Sequence, residues 1–375
     1  MFSYIFMLLP IAIIALFSIS IIWYYRFWKS FKYPRWIYWA IQFVLAVVFI
    51  YTMAFRNNTP EFISKKALLF ISAVYFISIA YSSVICIVVK LVSFISAKIS
   101  LNGKMTRVLK GKRILPAISL CFTLLLGAVG YINMGILQEK DITIEINKES
   151  VNDSITAVMI SDTHLGTGLY ADKLDELVEK INGMNPDVIF MVGDIVDEST
   201  TNNDISIMTR EFSRLKSTYG TYFVFGNHEK YKADEKIADY FEQSGITVLR
   251  DEVSVIADDI TVIGRMDYYE NPQPVDEIIK NNNVDTSKPV IVLSHEPLGL
   301  NDLSKAGADL SFSGHTHGEQ FPLTRAFVRI GNDMVYGEEK FGNMTAYTSS
   351  GAGGWGMHYK FPSGSEIVKA EIIFK

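Results

Sequence analysis

Cysteine is almost absent from this 375-residue chain, and the two present, Cys86 and Cys121, both lie in apolar runs. The polar part therefore offers neither a disulfide nor a thiolate metal site. Acids are absent from the front: residues 1–137 hold 14 Lys and Arg but a single carboxylate, Glu61. The rest carries 21 basic and 39 acidic residues, so the net charge of −5 hides a basic front and an acidic back. An acidic polar part is poorly suited to phosphate-backbone contacts, and no nucleic acid binding is expected. Histidine is scarce as well, with six in the chain.

Four uncharged apolar stretches, 1–25, 36–55, 67–89 and 114–137, fill the front. Each reaches the ~20 residues that a helix needs to cross a hydrocarbon core. The first has no basic flank and no small-residue cleavage site, so it reads as a retained helix and not a signal peptide. The loop after it holds Arg26, Lys29, Lys32 and Arg35, and the third loop, 90–113, holds seven basic residues, neither with an acid. The second loop is mixed, with Arg56, Glu61, Lys65 and Lys66. Basic loops stay cytoplasmic, which predicts both termini outside and the polar part extracytoplasmic. The helix cores hold no acid, His or Arg, so a bilayer anchor is expected and a transport path is not.

Beyond residue 137 the pattern changes to short β-rich runs separated by amphipathic stretches. Strands are predicted at 142–146, 155–160, 187–192, 222–225, 253–257, 260–264, 289–293, 309–313, 345–349 and 366–374. Helices are predicted at 171–182, 205–217, 234–244 and 275–282. This gives three regions: a four-helix transmembrane domain at 1–137, a linker and first strand at 138–154, with 138–141 as the connector, and an α/β domain at 155–375 with more than one sheet.

Five motifs each follow a predicted strand: Asp162-Thr-His164, Gly193-Asp194 with Asp197, Gly226-Asn227-His228-Glu229, Ser294-His295-Glu296 and Gly314-His315-Thr-His317. Loops at one edge of a sheet converge on a crevice. In an extended chain, residues two apart point the same way, which suits Asp162 with His164 and His315 with His317. Carboxylates, imidazoles and an Asn without Cys suit divalent Mn²⁺, Fe²⁺ or Zn²⁺. A carboxylate can bridge two ions, and Asp194 is the candidate. Two ions ~4 Å apart activate water and clamp a phosphoryl group, so no side-chain nucleophile is required. Any one motif alone reads as a turn or a helix cap; five of the six histidines falling in one ordered set decides for a site.

The ordered set resembles the calcineurin-like metallophosphoesterases across roughly 155–375. The stretches Gly314-His-Thr-His-Gly-Glu-Gln320 and Ser349-Ser-Gly-Ala-Gly-Gly-Trp-Gly356 are similar to its bacterial membrane-associated branch, which includes transmembrane proteins. The resemblance implies a four-layer α/β/β/α sandwich and a metal-dependent phosphoester hydrolase. It implies that Asp162, His164, Asp194 and His317 hold one metal, and Asp194, Asn227, His295 and His315 a second. His228 would face the substrate phosphate as the catalytic acid. Asp197 and Glu229 would orient ligands or backbone, and Arg265 and Lys360 would serve the substrate or the surrounding shell. Glu229 stands where many relatives have Asp, and Glu319 adds a carboxylate near the site. His358 reads as a surface-loop histidine. A phosphomono- or diester that is lipid- or envelope-linked is the leading substrate, with a soluble nucleotide, or a non-enzymatic metal-bound receptor, as alternatives.

Overall fold

A computed structural model of the protein describes residues 2–55, 64–98, 111, 113–232 and 236–375. The chain divides into two compact units, Met1–Ile132 and Asn133–Lys375.

The apolar front folds as helices α1 (Phe2–Lys29), α2 (Arg35–Phe55), α3 (Lys65–Lys98) and α4 (Ile114–Met134). Among the described residues, three stretches are long and apolar enough to cross a membrane: Arg35–Phe55, Lys65–Ser96 and Ile114–Met134, with mean hydropathies of 2.0, 2.1 and 2.0. Their few polar atoms find one another. Ser72 Oγ donates to Thr52 Oγ1 at 2.9 Å, Ser82 and Thr123 share a 3.3 Å bond, and Tyr24 bonds Ser82. Hydroxyl pairs of this kind hold apolar helices together where lipid offers no hydrophobic driving force. Of the loop charges, Arg56, Glu61, Lys104, Arg107, Lys110 and Lys112 lie outside the described residues.

In the second unit the aliphatic runs become strands β1 (Leu137–Ile146), β2 (Ser154–Ile160), β3 (Val188–Val192), β4 (Thr221–Val224), β5 (Thr247–Leu249), β6 (Glu252–Ile256), β7 (Ile260–Gly264), β8 (Val290–Leu293), β9 (Leu310–Ser313), β10 (Gly337–Phe341), β11 (Met344–Thr348) and β12 (Ser365–Phe374). Amphipathic stretches become α5 (Leu174–Gly183), α6 (Asn202–Phe212), α7 (Asn227–Lys232), α8 (Ile237–Gln243), α9 (Val275–Asn281), α10 (Leu300–Ala306) and α11 (Arg325–Gly331). Two six-stranded mixed sheets result, ordered β1-β12-β2-β3-β4-β5 and β10-β11-β9-β8-β7-β6. The strand at Leu137–Ile146 overturns the connector read at 138–141. Those residues pair in parallel with Ser365–Phe374 at the sheet edge, where one face is exposed and polar side chains are tolerated.

Side-chain alternation along each strand separates three cores. Val188, Phe190 and Val192 pack with Val262, Ile291 and Phe312 of the other sheet. Ile189 and Met191 face Leu177, Ile181, Met208 and Phe241 of α5, α6 and α8. Across the second sheet, Ile263, Val290 and Val292 face Ile278, Leu300 and Leu303. The parallel runs β2-β3-β4 and β7-β8-β9 are buried on both faces, so they read as unbroken aliphatic stretches, and their C-terminal ends carry the motif loops.

Candidate metal centre

Five of the seven predicted ligands stand on turns that leave a strand sharply. Asp162 (φ 52°), His164 (φ 42°), Asp194 (φ 55°), His315 (φ 70°) and His317 (φ 53°) all adopt left-handed backbone conformations. For residues with a Cβ this is strained geometry, of the kind that concentrates at functional sites. The strain is held by a hydrogen-bond frame. Asp162, His164 and Leu165 donate their N–H groups to the carbonyls of Gly193, Asp194 and Ile195, tying the first motif loop to the second.

Three groups of side chains converge: Asp162, His164 and His317; His164, Asp194 and His228; and Asp194, His295 and His315. Within each group one ligand atom per residue lies within 4.8 Å of the others. His295 Nε2 is 2.9 Å from Asp194 Oδ2, and His164 Nε2 is 3.6 Å from the same oxygen. His317 Nε2 stands 3.7 Å from Asp162 Oδ1, and Asn227 Oδ1 is 3.0 Å from His315 Nδ1. His164 Nε2, His295 Nε2 and His317 Nδ1 are buried without a hydrogen bond among the described residues. Buried imidazole nitrogens left short of partners among carboxylates are what a cation would satisfy. The donor set fits borderline divalent ions.

Electrostatics leave two of the imidazoles metal-ready and tie a third to the Asp194 carboxylate. Burial holds His315 down at about 4, helped by its neighbour His295, and burial together with His164 holds His317 down. Both are therefore neutral and able to ligate. Burial opposes charge on Asp194, but His295 and His164 outweigh it and hold that carboxyl ionised. His295 responds in the opposite sense: Asp194 overcomes the burial that would discharge it and raises it well above the usual value.

The surrounding residues have identifiable tasks. Asp197 Oδ2 lies 3.3 Å from His164 Nδ1, and His295 Nδ1 lies 2.8 Å from the Val192 carbonyl, so both rings are fixed from behind. Glu229 accepts the N–H groups of Asp194, Ile195, Val196 and Gly226 at 2.7–3.0 Å. One carboxylate thus shapes the turn that presents Asp194. His228 donates its backbone N–H to Asp194 Oδ1 at 2.8 Å, and its ring Nδ1 is 3.0 Å from Glu198 Oε2. Burial disfavours the imidazolium at His228, but Glu198 and Asp194 prevail and raise its pKa.

Glu198 escaped sequence reasoning, since a half-exposed loop acid beside Asp197 carries no signal of its own. Trp355 was quoted only for resemblance, yet its ring lies 5.8 Å from that of His228. Three expectations are sharpened and one, for His358, is corrected. Of the two roles open to Lys360, its burial and its donation to the carbonyls of Ser350 and Gly351 place it in the surrounding shell and not on the substrate. Arg265 lines a 720 Å³ cavity with Tyr268, Pro272 and Leu298, and none of the predicted ligands is among the residues lining it. Glu319 stands two residues past His317, near the site, and is paired with Arg325 (2.9 Å) and Arg329 (3.1 Å). His358 is buried, its ring stacked on Tyr170 at 4.8 Å and its Nδ1 3.0 Å from the Thr167 carbonyl.

Comparison with known proteins points the same way. The family model for calcineurin-like phosphoesterases matches residues 155–319. An uncharacterized metallophosphoesterase of Helicobacter pylori is 33% identical over 235 residues, covering 60% of this chain and 62% of that protein. The chain therefore spans less than two thirds of that relative. A transmembrane protein with a metallophosphoesterase domain from Danio rerio is 29% identical over 282 residues, or 69% of this chain and 62% of that one. An uncharacterized metallophosphoesterase of Aquifex aeolicus is 32% identical over 199 residues, or 52% of this chain and 75% of its own. Ordered motifs, converging ligands and these relatives agree that the chain belongs to the calcineurin-like metallophosphoesterases.

Proposed function

We propose that the protein is a membrane-anchored phosphohydrolase that uses two divalent ions to cleave a phosphomono- or diester, with a lipid- or envelope-linked ester as substrate. One observation carries this reading: Asp194 belongs to two ligand groups at once, with His164 on one side and with His295 and His315 on the other. A carboxylate so placed suits a bridge between two ions. Asp162, His164, Asp194 and His317 would hold one ion, and Asp194, Asn227, His295 and His315 the other. Such ions, when bound, lower the ionisation pH of water and polarise phosphoryl oxygens.

The remaining roles belong to the chain. His228, whose imidazolium form Glu198 and Asp194 favour against burial, is placed to give a proton to the leaving oxygen. Asp197 holds His164 in one orientation, and Glu229 holds the Asp194 turn. The three stacked cores support the four-layer α/β/β/α arrangement. The apolar helices and the basic loops support a four-helix anchor with the hydrolase unit outside the cytoplasm.

The test is hydrolysis of nitrophenyl phosphate mono- and diesters by the full chain in detergent, with Mn²⁺, Zn²⁺, Fe²⁺ and Mg²⁺ in turn. Asp194→Asn is expected to lower turnover by about 10³-fold or more and to lower bound metal, with helix and strand content retained. Wild-type rates in that variant would remove the two-ion assignment.

A further inference from the structure

The segment after the last histidine motif is folded in an unusual way. Pro322–Thr324 and α11 contain no buried residue, yet they form ordered helical turns. Leu323, Phe327 and Ile330 are 42%, 61% and 77% exposed. At 100° per residue these three share one face, while Arg325 and Arg329 fall on the opposite face. Both arginines bind Glu319, two residues past His317. The helix is thus clamped from behind to the metal-centre loop, with its apolar stripe turned outward. Single exposed hydrophobics are ordinary on a protein surface, but three on one stripe of a clamped helix mark a contact surface.

The position of this stripe within the hydrolase unit indicates what covers it. The chain comes into the unit at Asn133 and Met134, the last residues of an apolar run able to cross a membrane. Asn133 donates to the carbonyls of Lys360 and Ser363 at 3.1 and 2.7 Å. Met134 packs against Gly354, and Gln320 donates to the carbonyls of Trp355 and Met357 at 3.1 Å. Trp355, half exposed beside His228, therefore lies on the same edge as the chain's point of arrival, as does Gln320 at the foot of the helical segment. An exposed Trp with outward Leu, Phe and Ile and flanking Arg is the composition of a helix lying in a bilayer interface.

We propose that Pro322–Gly331 and Trp355 form a monotopic bilayer contact at the rim of the metal centre, so that the ester offered to His228 is a lipid phosphate head group. This rests on the phosphoesterase reading above and narrows its substrate to a phosphoester still seated in the membrane. The contact would hold the scissile phosphate at head-group depth, with no need to extract the lipid.

The experiment uses the full chain in liposomes of phosphatidylcholine and phosphatidylglycerol, with Cys86→Ser and Cys121→Ser. An environment-sensitive NBD label is attached through Phe327→Cys or, as control, through the exposed Lys305→Cys. The label at 327 should shift to the blue and be quenched several-fold more strongly by shallow doxyl lipids than the label at 305. Equal quenching at the two positions would overturn the contact. A blue shift without lipid quenching, together with a 327–327 disulfide between copies of the unlabelled Phe327→Cys variant, would overturn it in favour of self-association. In the activity arm, Phe327→Ser with Ile330→Ser should lower hydrolysis of vesicle-embedded phosphatidic acid at least tenfold and leave nitrophenyl phosphate rates unchanged. Equal losses on both substrates would also overturn it. A parent chain inactive on nitrophenyl phosphate would overturn the enzymatic reading instead, and label depth would then still decide the contact.

Discussion

Asp162 ends β2 and Asp194 ends β3, and the two halves of the site present them in matching ways. Each carboxylate accepts a backbone N–H from the turn after a glycine: His315 donates to Asp162 at 3.0 Å, and His228 to Asp194 at 2.8 Å. Behind this likeness the bracing differs in sign. The Asp194 turn is organised by a buried carboxylate, Glu229, which gathers four N–H groups. The Asp162 side is backed by a buried ammonium, Lys360, which binds the carbonyls of Ser350 and Gly351. Gly351 is packed so closely on Asp162 that a Cβ there would stand 2.6 Å from the aspartate's own Cβ. One half is thus shaped by an acceptor that collects donors, and the other by a donor that collects acceptors. Both arrangements are fully buried, so each polar group depends on its few partners.

The largest effect is expected where both halves are equally intolerant. A Cβ on Gly226 would fall within 2.6 Å of Asp194 N and closer still to Asp194 Oδ1, and one on Gly314 would collide with Asp162 Oδ2 and Ser161 Oγ. Neither glycine is at a terminus that can give way. Gly226→Ala and Gly314→Ala should each lower turnover by about 10³-fold, lose bound metal and destabilise by about 3 kcal/mol. Metal content by mass spectrometry and the nitrophenyl phosphate assay check this. If one variant kept activity and metal, the two halves would not be equivalent in their tolerance.

Much of this symmetry was legible in the sequence. Ligand identity, order and the glycines before them are local features, and strand-end placement follows from aliphatic runs buried on both faces. Bracing was legible only in part. Glu229 was read as an orienter because it follows Asn227 and His228 directly. Lys360 was left between substrate and surrounding shell because lysine burial is decided by segments far apart in the chain. Glu198 gives no sequence signal, since loop acids are common and only its 3.0 Å approach to His228 gives it a role. The helix at Arg325–Gly331 was missed because seven residues carry too little periodicity. Residues 138–141 of the edge strand Leu137–Ile146 were read as a connector because they are polar and exposed.

A second effect should separate the halves. Glu229→Gln places an amide NH₂ among four N–H donors, and buried N–H groups left without acceptors are costly. We expect a loss of about 3 kcal/mol and at least tenfold in turnover. Lys360→Met leaves two carbonyls short of a donor, which is better tolerated, and it removes a buried charge. Its loss should be about 1 kcal/mol. Chemical denaturation of the full chain in detergent, read by near-ultraviolet circular dichroism, gives both numbers. Equal losses would show that the sign of the brace is immaterial.

The smallest effect is a pH signature carried by the ammonium brace alone. Burial pushes Lys360 down to about 8 from the ordinary 10.5, against the pull of Asp162 and Glu366. Between these values the unfolded chain holds a proton that the folded chain has lost, so the unfolded state binds more protons and stability rises with pH. From about pH 8 to about pH 9 the gain from this group should be about 1 kcal/mol. Other groups titrate in the same range, so the quantity to measure is the difference between the metal-free wild type and Lys360→Met in parallel denaturation series. That difference should move in favour of the wild type as pH rises, because the variant has no such proton to lose. A difference independent of pH would mean that Lys360 keeps its proton throughout, and that its two carbonyl bonds fully offset the burial of the charge.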